Sequence, residues 1–359
     1  MSSTENLFAT RFKSARLLNG FSLQDLADVL DANGHPLTKQ SLHRYEKSEV
    51  IPDSEITGWL SDALNVRPDF FARTTSIEIG EVEYRKLKSL ASKEDDRIIE
   101  QTREYLGRYL ELEEILALPV NFKDPLPNFK IVKEYKDVND AAIKLREKWN
   151  LGDDPIYNIV ELLEDKHIKV VPLDADMGFD GLQTTVNKTI PVVAYNSRKI
   201  VKPDRIRFTL LHELGHLLLK FDEALTSKQI ENLCHQFAGA MLLPEKAIIQ
   251  ELGKHRTRLY MQELGHIKTQ YGISMQAIVM RAKVCGIINE HYSKQFFFIM
   301  NNNGWKVDEP VDYTGEEKSN RFDQLLLRAL AEEQISMSKA AALKNQKLAD
   351  FKKDFLMAF

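Results

Sequence analysis

The run Phe-Thr-Leu-Leu-His-Glu-Leu-Gly-His-Leu-Leu-Leu, from Phe208 to Leu219, restricts the possible folds more than any other part of the chain. Leu210, Leu211, Leu214, Leu217 and Leu218 make a helix here apolar nearly all round, which marks it as buried. Two histidines and a glutamate lie inside it. Leaving a neutral polar group unpaired costs on the order of 2–7 kcal/mol, and a charged one more, so His212, Glu213 and His216 all need partners. A helix advances about 3.6 residues per turn, which stacks His212 and His216 on one face, where two imidazoles can hold one metal ion. Glu213 projects beside them and can serve as a general base without binding the metal. The alternative, two core histidines with ordinary hydrogen-bond partners, must account for three polar groups at ligand spacing.

A reactive zinc takes three protein ligands and keeps one position open. Asp222 stands where one class of zinc peptidases puts its last ligand, after a glycine that stops the helix. Leu219 occupies that glycine position, so Asp222 should run past the metal. Glu231 is the better candidate. It begins a second helical stretch with Leu233, Phe237, Ala240 and Met241 on its apolar face, stopped by Pro244.

With these residues the chain resembles the ImmA/IrrE metallopeptidases. The resemblance rests on Arg205-x-Arg207-Phe208-Thr209-Leu210-x-His212-Glu213-Leu214-Gly215-His216 with the leucines that follow, then on Glu231, Phe237-Ala238 and Leu242-Leu243-Pro244. It implies a zinc-dependent endopeptidase with one Zn2+ per chain on His212, His216 and Glu231, and Glu213 as base. Cys234 stands where the family usually has alanine. It is read as core packing, or as a thiol one turn from Glu231 that displaces this ligand until it is oxidised. His235, on the same side of the helix, is read as hydrogen-bonding a ligand carboxylate. The stretch Tyr271 to Ile288 resembles the small helical subdomain over the family's cleft. Arg281 within it is expected to pair with an acid, whereas His266, in a second Glu-Leu-Gly-His, has no partner histidine and is read as a surface residue.

The other strong pattern is at the start of the chain. Helical periodicity over Leu7–Leu18 is followed by Ser22 capping Leu23–Leu30, a turn holding Asn33, Gly34 and Pro36, and Thr38 capping Lys39–Lys47. The side chains of Lys39, Gln40, Ser41, His43 and Arg44 suit base edges and phosphates, so this reads as a helix-turn-helix with its recognition helix second. The order of motifs, with Ile51-Pro52 and a fourth helix over Ser54–Leu64, resembles the Xre/Cro-type repressor domains. Residues 1–75 hold eight Lys and Arg against ten Asp and Glu, so any basic patch is local to that helix. A small domain used only for protein contact is the other reading.

At 359 residues more than one domain is expected, and 43% hydrophobic with 28% charged residues is an ordinary globular composition. The net charge of −4 excludes a generally basic nucleic-acid binder. No apolar run is long enough to span a membrane, the polar start is no signal peptide, and the two cysteines suggest no disulfide framework, so a cytoplasmic location is expected.

The expected fold is α+β: an all-α helix-turn-helix domain over 1–75, a charged helical connector over 76–125, a mixed zincin-like domain with a small sheet over 126–310, and a helical extension over 311–359. The stretch Tyr84–Leu118 is expected to be helical, its stripe of Ile98, Thr102, Tyr105, Tyr109, Leu112, Ile115 and Leu116 packing on the peptidase or forming a homodimer. After a Gly178-Phe179-Asp180-Gly181 turn, strands are expected over Leu182–Val186 and Ile190–Tyr195, the second an edge on which an extended peptide could lie. Two functions are consistent with all this. One is a DNA-binding regulator fused to a working endopeptidase, whose protein substrate the resemblance suggests is a helix-turn-helix repressor. The other is a non-proteolytic transcription factor or antitoxin-like regulator whose zinc domain senses or binds a partner. Cleavage of the chain's own connector, Thr74 to Glu83, is compatible with the first.

Overall fold

The structure is a computed structural model that describes residues 3–73, 79, 83–86 and 92–357. It opens with helices α1 (Ser3–Leu18), α2 (Leu23–Ala32), α3 (Lys39–Glu46) and α4 (Ser54–Ala63), then a 3-10 turn over Pro68–Ala72. Ser22 and Asp25 form a reciprocal capping box on α2, Thr38 accepts from the Ser41 amide on α3, and Asp53 caps α4. Phe12, Leu26, Leu30, Leu42, Leu60, Leu64 and Phe71 close one small core. The long α2–α3 turn is pinned by His35, whose ring stacks on Trp59 at 4.5 Å.

Strand β1 (Glu83–Lys86) precedes α5 (Ser92–Ile115), so the long helix starts later than its charge pattern suggests, and residues 84–86 are extended. Of the connector Thr74–Glu83, only Ile79 and Glu83 lie within the described residues. Next come α6 (Tyr135–Lys148), α7 (Ile159–Asp165), β2 (Lys169–Leu173), β3 (Phe179–Val186) and β4 (Ile190–Asn196). Strand β3 begins inside the expected turn. The sheet runs β1-β3-β4-β2, with β2 parallel to β4 and the other two pairings antiparallel. Strand β4 is therefore interior, not an edge: both of its sides are paired, and no peptide can add there.

Both faces of the sheet are covered, which is why Ile190–Ala194 reads as an unbroken apolar run. Val170 and Val193 face a core shared with α6, α7 and α8 (Pro203–Leu218), while Val171, Leu182, Val192 and Ala194 pack under Ile98 and Leu106 of α5. Helices α9 (Ser227–Leu242), α10 (Glu245–Leu252), α11 (Met261–Tyr271), α12 (Met275–Val284) and α13 (Glu290–Asn302) complete the first core. The second half of the α5 stripe, Tyr109, Leu112 and Leu116, is buried by α14 (Arg321–Ala331), α15 (Met337–Leu343) and α16 (Leu348–Met357), where Ala329, Ala340 and Ala341 allow close approach. This covers the stripe within one chain, so it is not a dimer seam. No helix among the described residues is long and apolar enough to cross a membrane.

Candidate metal centre

Helix α8 starts with Pro203 in its first turn and ends at Leu218, where Leu219 turns extended. His212 is fully buried and Glu213 is 1% exposed. What brings α9 close enough to complete a site is Gly215. A Cβ there would lie 3.1 Å from Phe237 Cδ1 and 3.5 Å from Cys234 Sγ, so a larger residue would push the Phe237 ring and the two helices apart from this spacing. Glu231 on α9 then reaches both histidines.

The three donor groups form a near-equilateral triangle. His212 Nε2 and His216 Nε2 are 3.2 Å apart, Glu231 Oε2 is 3.2 Å from His212 Nε2, and Glu231 Oε1 is 3.3 Å from His216 Nε2. Bonds of about 2.0–2.1 Å to a tetrahedral zinc put neighbouring ligand atoms roughly 3.3–3.4 Å apart; the two imidazole nitrogens have this spacing, the carboxylate straddles them with one oxygen towards each, and the three residues offer ligand atoms within 4.8 Å of one another, a donor set that suits this ion. Hydrogen bonding to His212 and then His216 holds the Glu231 carboxyl well below the ordinary carboxylate range, so it is anionic at neutral pH as a ligand must be. The Glu231 side chain is 37% exposed and that of His216 14%, which leaves the open side of the triangle facing solvent.

Glu213 lies beneath β3. A Cβ built on Gly181 would sit 2.9 Å from Glu213 Oε1 and 2.9 Å from the Ala194 carbonyl oxygen. The sequence marks Gly181 as a turn residue; its role in the structure is to let a strand pass over the carboxylate. Beside the centre opens a cleft of about 360 Å³, lined by Asp180, Phe208, Asn232, His235, Gln236 and Met280 among others.

Asp222 is outside the cluster: it accepts from the Ala224 amide and pairs with Lys133 at 3.4 Å. Cys234 is fully buried on the Gly215 side of α9 and does not belong to the metal-binding group, an arrangement that favours packing over ligand exchange. His235 rests its ring against His212, with centroids 4.5 Å apart, and against Phe208. His266 is exposed. The acid expected for Arg281 is replaced by neutral acceptors: the guanidinium donates to the Leu243 carbonyl, the Tyr135 hydroxyl and the Asn139 amide oxygen. It crosses Gly239, where a Cβ would meet Arg281 Cδ at 3.1 Å.

Arg207 lies outside the metal-ligand spacing, and a cation in a buried helix needs a buried partner. It is fully buried, ion-paired with Glu317, and donates to the carbonyls of Ile156 and Tyr157. Glu317 also accepts from the Ile159 amide at 2.8 Å, so one pair ties α8 to α7 and to the segment before α14. At the other end of the molecule, Lys39, Gln40, His43 and Arg44 are exposed on one face of α3, with Ser41 half-buried. Arg44 pairs loosely with Glu49 at 3.5 Å.

Two comparisons bear on this centre. Residues 163–283 match the family model of the IrrE N-terminal-like domain, peptidase family M78. Over 73 residues the chain is 38% identical to the radiation response metalloprotease IrrE of Deinococcus radiodurans, covering 17% of this chain and 22% of that protein. The part of the chain carrying the triangle is thus related to the IrrE/ImmA peptidases, while the match spans about a fifth of the relative's length.

Proposed function

We propose that this protein is a DNA-binding regulator fused to a zinc-dependent endopeptidase that cleaves another protein, a helix-turn-helix repressor by analogy with the resemblance above. The observation that carries the reading is the convergence of His212, His216 and Glu231, each carboxylate oxygen within 3.3 Å of one imidazole nitrogen, with the buried Glu213 in the position after His212 on the same helix. A Zn2+ held there would polarise a scissile carbonyl and lower the pKa of a water towards about 7. Glu213 takes that water's proton on its carboxylate and returns it to the leaving nitrogen. Its burial under β3 keeps bulk water away and holds the carboxylate in one orientation. The neighbouring cleft receives the side chains on one side of the scissile bond.

Metal analysis of the purified chain should find about one zinc per monomer, lost in His212→Ala, His216→Ala and Glu231→Ala. Glu213→Gln should keep the zinc and abolish cleavage of a repressor substrate. Retained cleavage in Glu213→Gln would end the peptidase reading, and a zinc-loaded wild type that cleaves nothing would favour the non-proteolytic regulator.

The exposed face of α3 supports the DNA-binding half. Arg44→Ala should weaken operator binding and reduce the salt dependence by about one unit of slope if it meets a phosphate, with zinc content unchanged. An isolated 1–75 fragment is a poor test because the first helical unit is docked on α5. The full chain should be used, and full affinity in Lys39→Ala and Arg44→Ala together would remove α3 as the reading element.

A further inference from the structure

The sheet edge nearest the general base is already occupied, and by the chain itself. Strand β3 carries Gly181, whose backbone passes over Glu213. A peptide that adds to the sheet beside Glu213 must pair with β3, because β4 is enclosed between β3 and β2. The outer side of β3 holds β1, antiparallel, with Glu83 opposite Gln183 and Tyr84 opposite Leu182. From Tyr84 to Lys86 is two steps, whereas their partners Leu182 and Phe179 are three apart. The backbone at Arg85 therefore spans Asp180 and Gly181, the part of β3 that lies over the carboxylate. Further along, Ile79 forms an antiparallel bridge with Val186.

We propose that β1 is a tethered occupant of the substrate's place, so that an extended polypeptide reaches β3 only when β1 leaves it. The proposal rests on the peptidase reading for what the edge is used for; the strand exchange itself requires no metal. A segment anchored at both ends competes at an effective concentration on the order of mM, enough to exclude peptides of ordinary affinity. A four-residue edge strand with a register irregularity is also weak enough to be displaced. Both anchors involve the first helical unit: one end of the segment leaves it, and the other enters α5, where Arg11 of α1 pairs with Glu104 and Lys93 pairs with Asp25. Any partner that undocks this unit pulls on the strand that covers β3.

The test uses the full chain and a fluorescein-labelled synthetic peptide of residues 79–90, followed by anisotropy, with hydrogen exchange of the β3 amides as second readout. Adjacent residues of an antiparallel strand alternate in donating to the neighbour, so Tyr84→Pro with Arg85→Pro removes a central β1 donor whichever of the two faces β3. The double variant should bind the peptide at least tenfold more tightly than wild type. Its amides over residues 179–186 should exchange faster and be protected again by the peptide. Glu83→Cys with Gln183→Cys gives a lock that keeps the question open to test if the proline variant misfolds. The oxidised lock should bind no peptide, and reduction should restore wild-type binding. Equal peptide affinity in wild type, proline variant and oxidised lock overturns the proposal, as does failure of the two cysteines to cross-link. Strand exchange without cleavage of any protein would leave this proposal standing and remove the peptidase reading; cleavage at an undiminished rate by the oxidised lock would do the reverse.

Discussion

Glycines 181 and 215 leave room near the candidate centre that a side chain would take up. Gly215 sets the distance between α8 and α9, and through it the reach of Glu231 to the two histidines; Gly181 sets the clearance between β3 and Glu213. The second is the cleaner test. In Gly181→Ala the new methyl would fall within 2.9 Å of the Glu213 carboxylate and of the Ala194 carbonyl, two groups that cannot both yield. Overpacking of this kind costs roughly 1–3 kcal/mol, and here part of it must be met by turning Glu213 away. Zinc content should stay at the wild-type level, since no ligand moves, while cleavage falls by at least tenfold. Full activity in Gly181→Ala would mean that the Glu213 orientation seen here is not the working one. The same logic explains why Cys234 is tolerated: it sits on the Gly215 side of α9, where a small buried group is what the seam requires.

Elements are held around α8 by buried charges as well as by apolar packing. Lys268 of α11 is 2% exposed and lies 2.8 Å from both Asp204, in the first turn of α8, and Glu309, which in turn accepts from the Met275 amide at the start of α12. Burial works to lower the Lys268 pKa, and hydrogen bonds to Asp204 and Glu309 more than reverse it, so the net shift is upward from 10.5. A raised lysine pKa contributes stability that is complete below the unfolded value and is lost as pH climbs through the folded one. Lys268→Met should therefore lose about 3–5 kcal/mol at neutral pH, as expected when two buried carboxylates lose their cation. In urea titrations its deficit against wild type should narrow above pH 10.5; a deficit that stays constant across that range would show the loss to be packing alone. None of this tie was readable from sequence, because Asp204, Lys268 and Glu309 are far apart in the chain and have no periodic relation. What was readable depended on local periodicity: His212 and His216 on one face, Ser22 and Thr38 as caps, and apolar strands under a cover. Pairing order is not legible in this way: apolar periodicity does not distinguish an interior β4 from an edge, and a charged four-residue strand at 83–86 has no signature that separates it from the helix after it.

The molecule as a whole is a set of helical and mixed layers joined through α5, which contacts α1 on one side, the sheet on another and the last three helices along its C-terminal half. The seam with α1 is where the two halves of the proposed function meet, and its centre is Arg11, 1% exposed, which pairs with Glu104, donates to the Phe70 carbonyl at 3.1 Å and lies 3.8 Å over the Phe70 ring. Arg67 and Arg73 add bonds to the carbonyls of Gln346 and Ala342, so the first unit also touches the C-terminal helices. A buried pair of this kind need not add net stability over an apolar seam, but removing one partner leaves the other charge unpaired at a cost of about 3–5 kcal/mol. In Arg11→Ala that cost falls on the α1–α5 contact, and also on the first unit's own core through Phe70. Thermal unfolding followed by hydrogen exchange should then separate into two steps, with residues 7–73 opening before α8 and α9, whereas the wild type should lose both together. Zinc content should be unchanged. If Arg11→Ala still unfolds in one step at the wild-type temperature, the seam is not what couples the first helical unit to the rest, and the coupling would have to run through the contacts of Arg67 and Arg73 with the C-terminal helices.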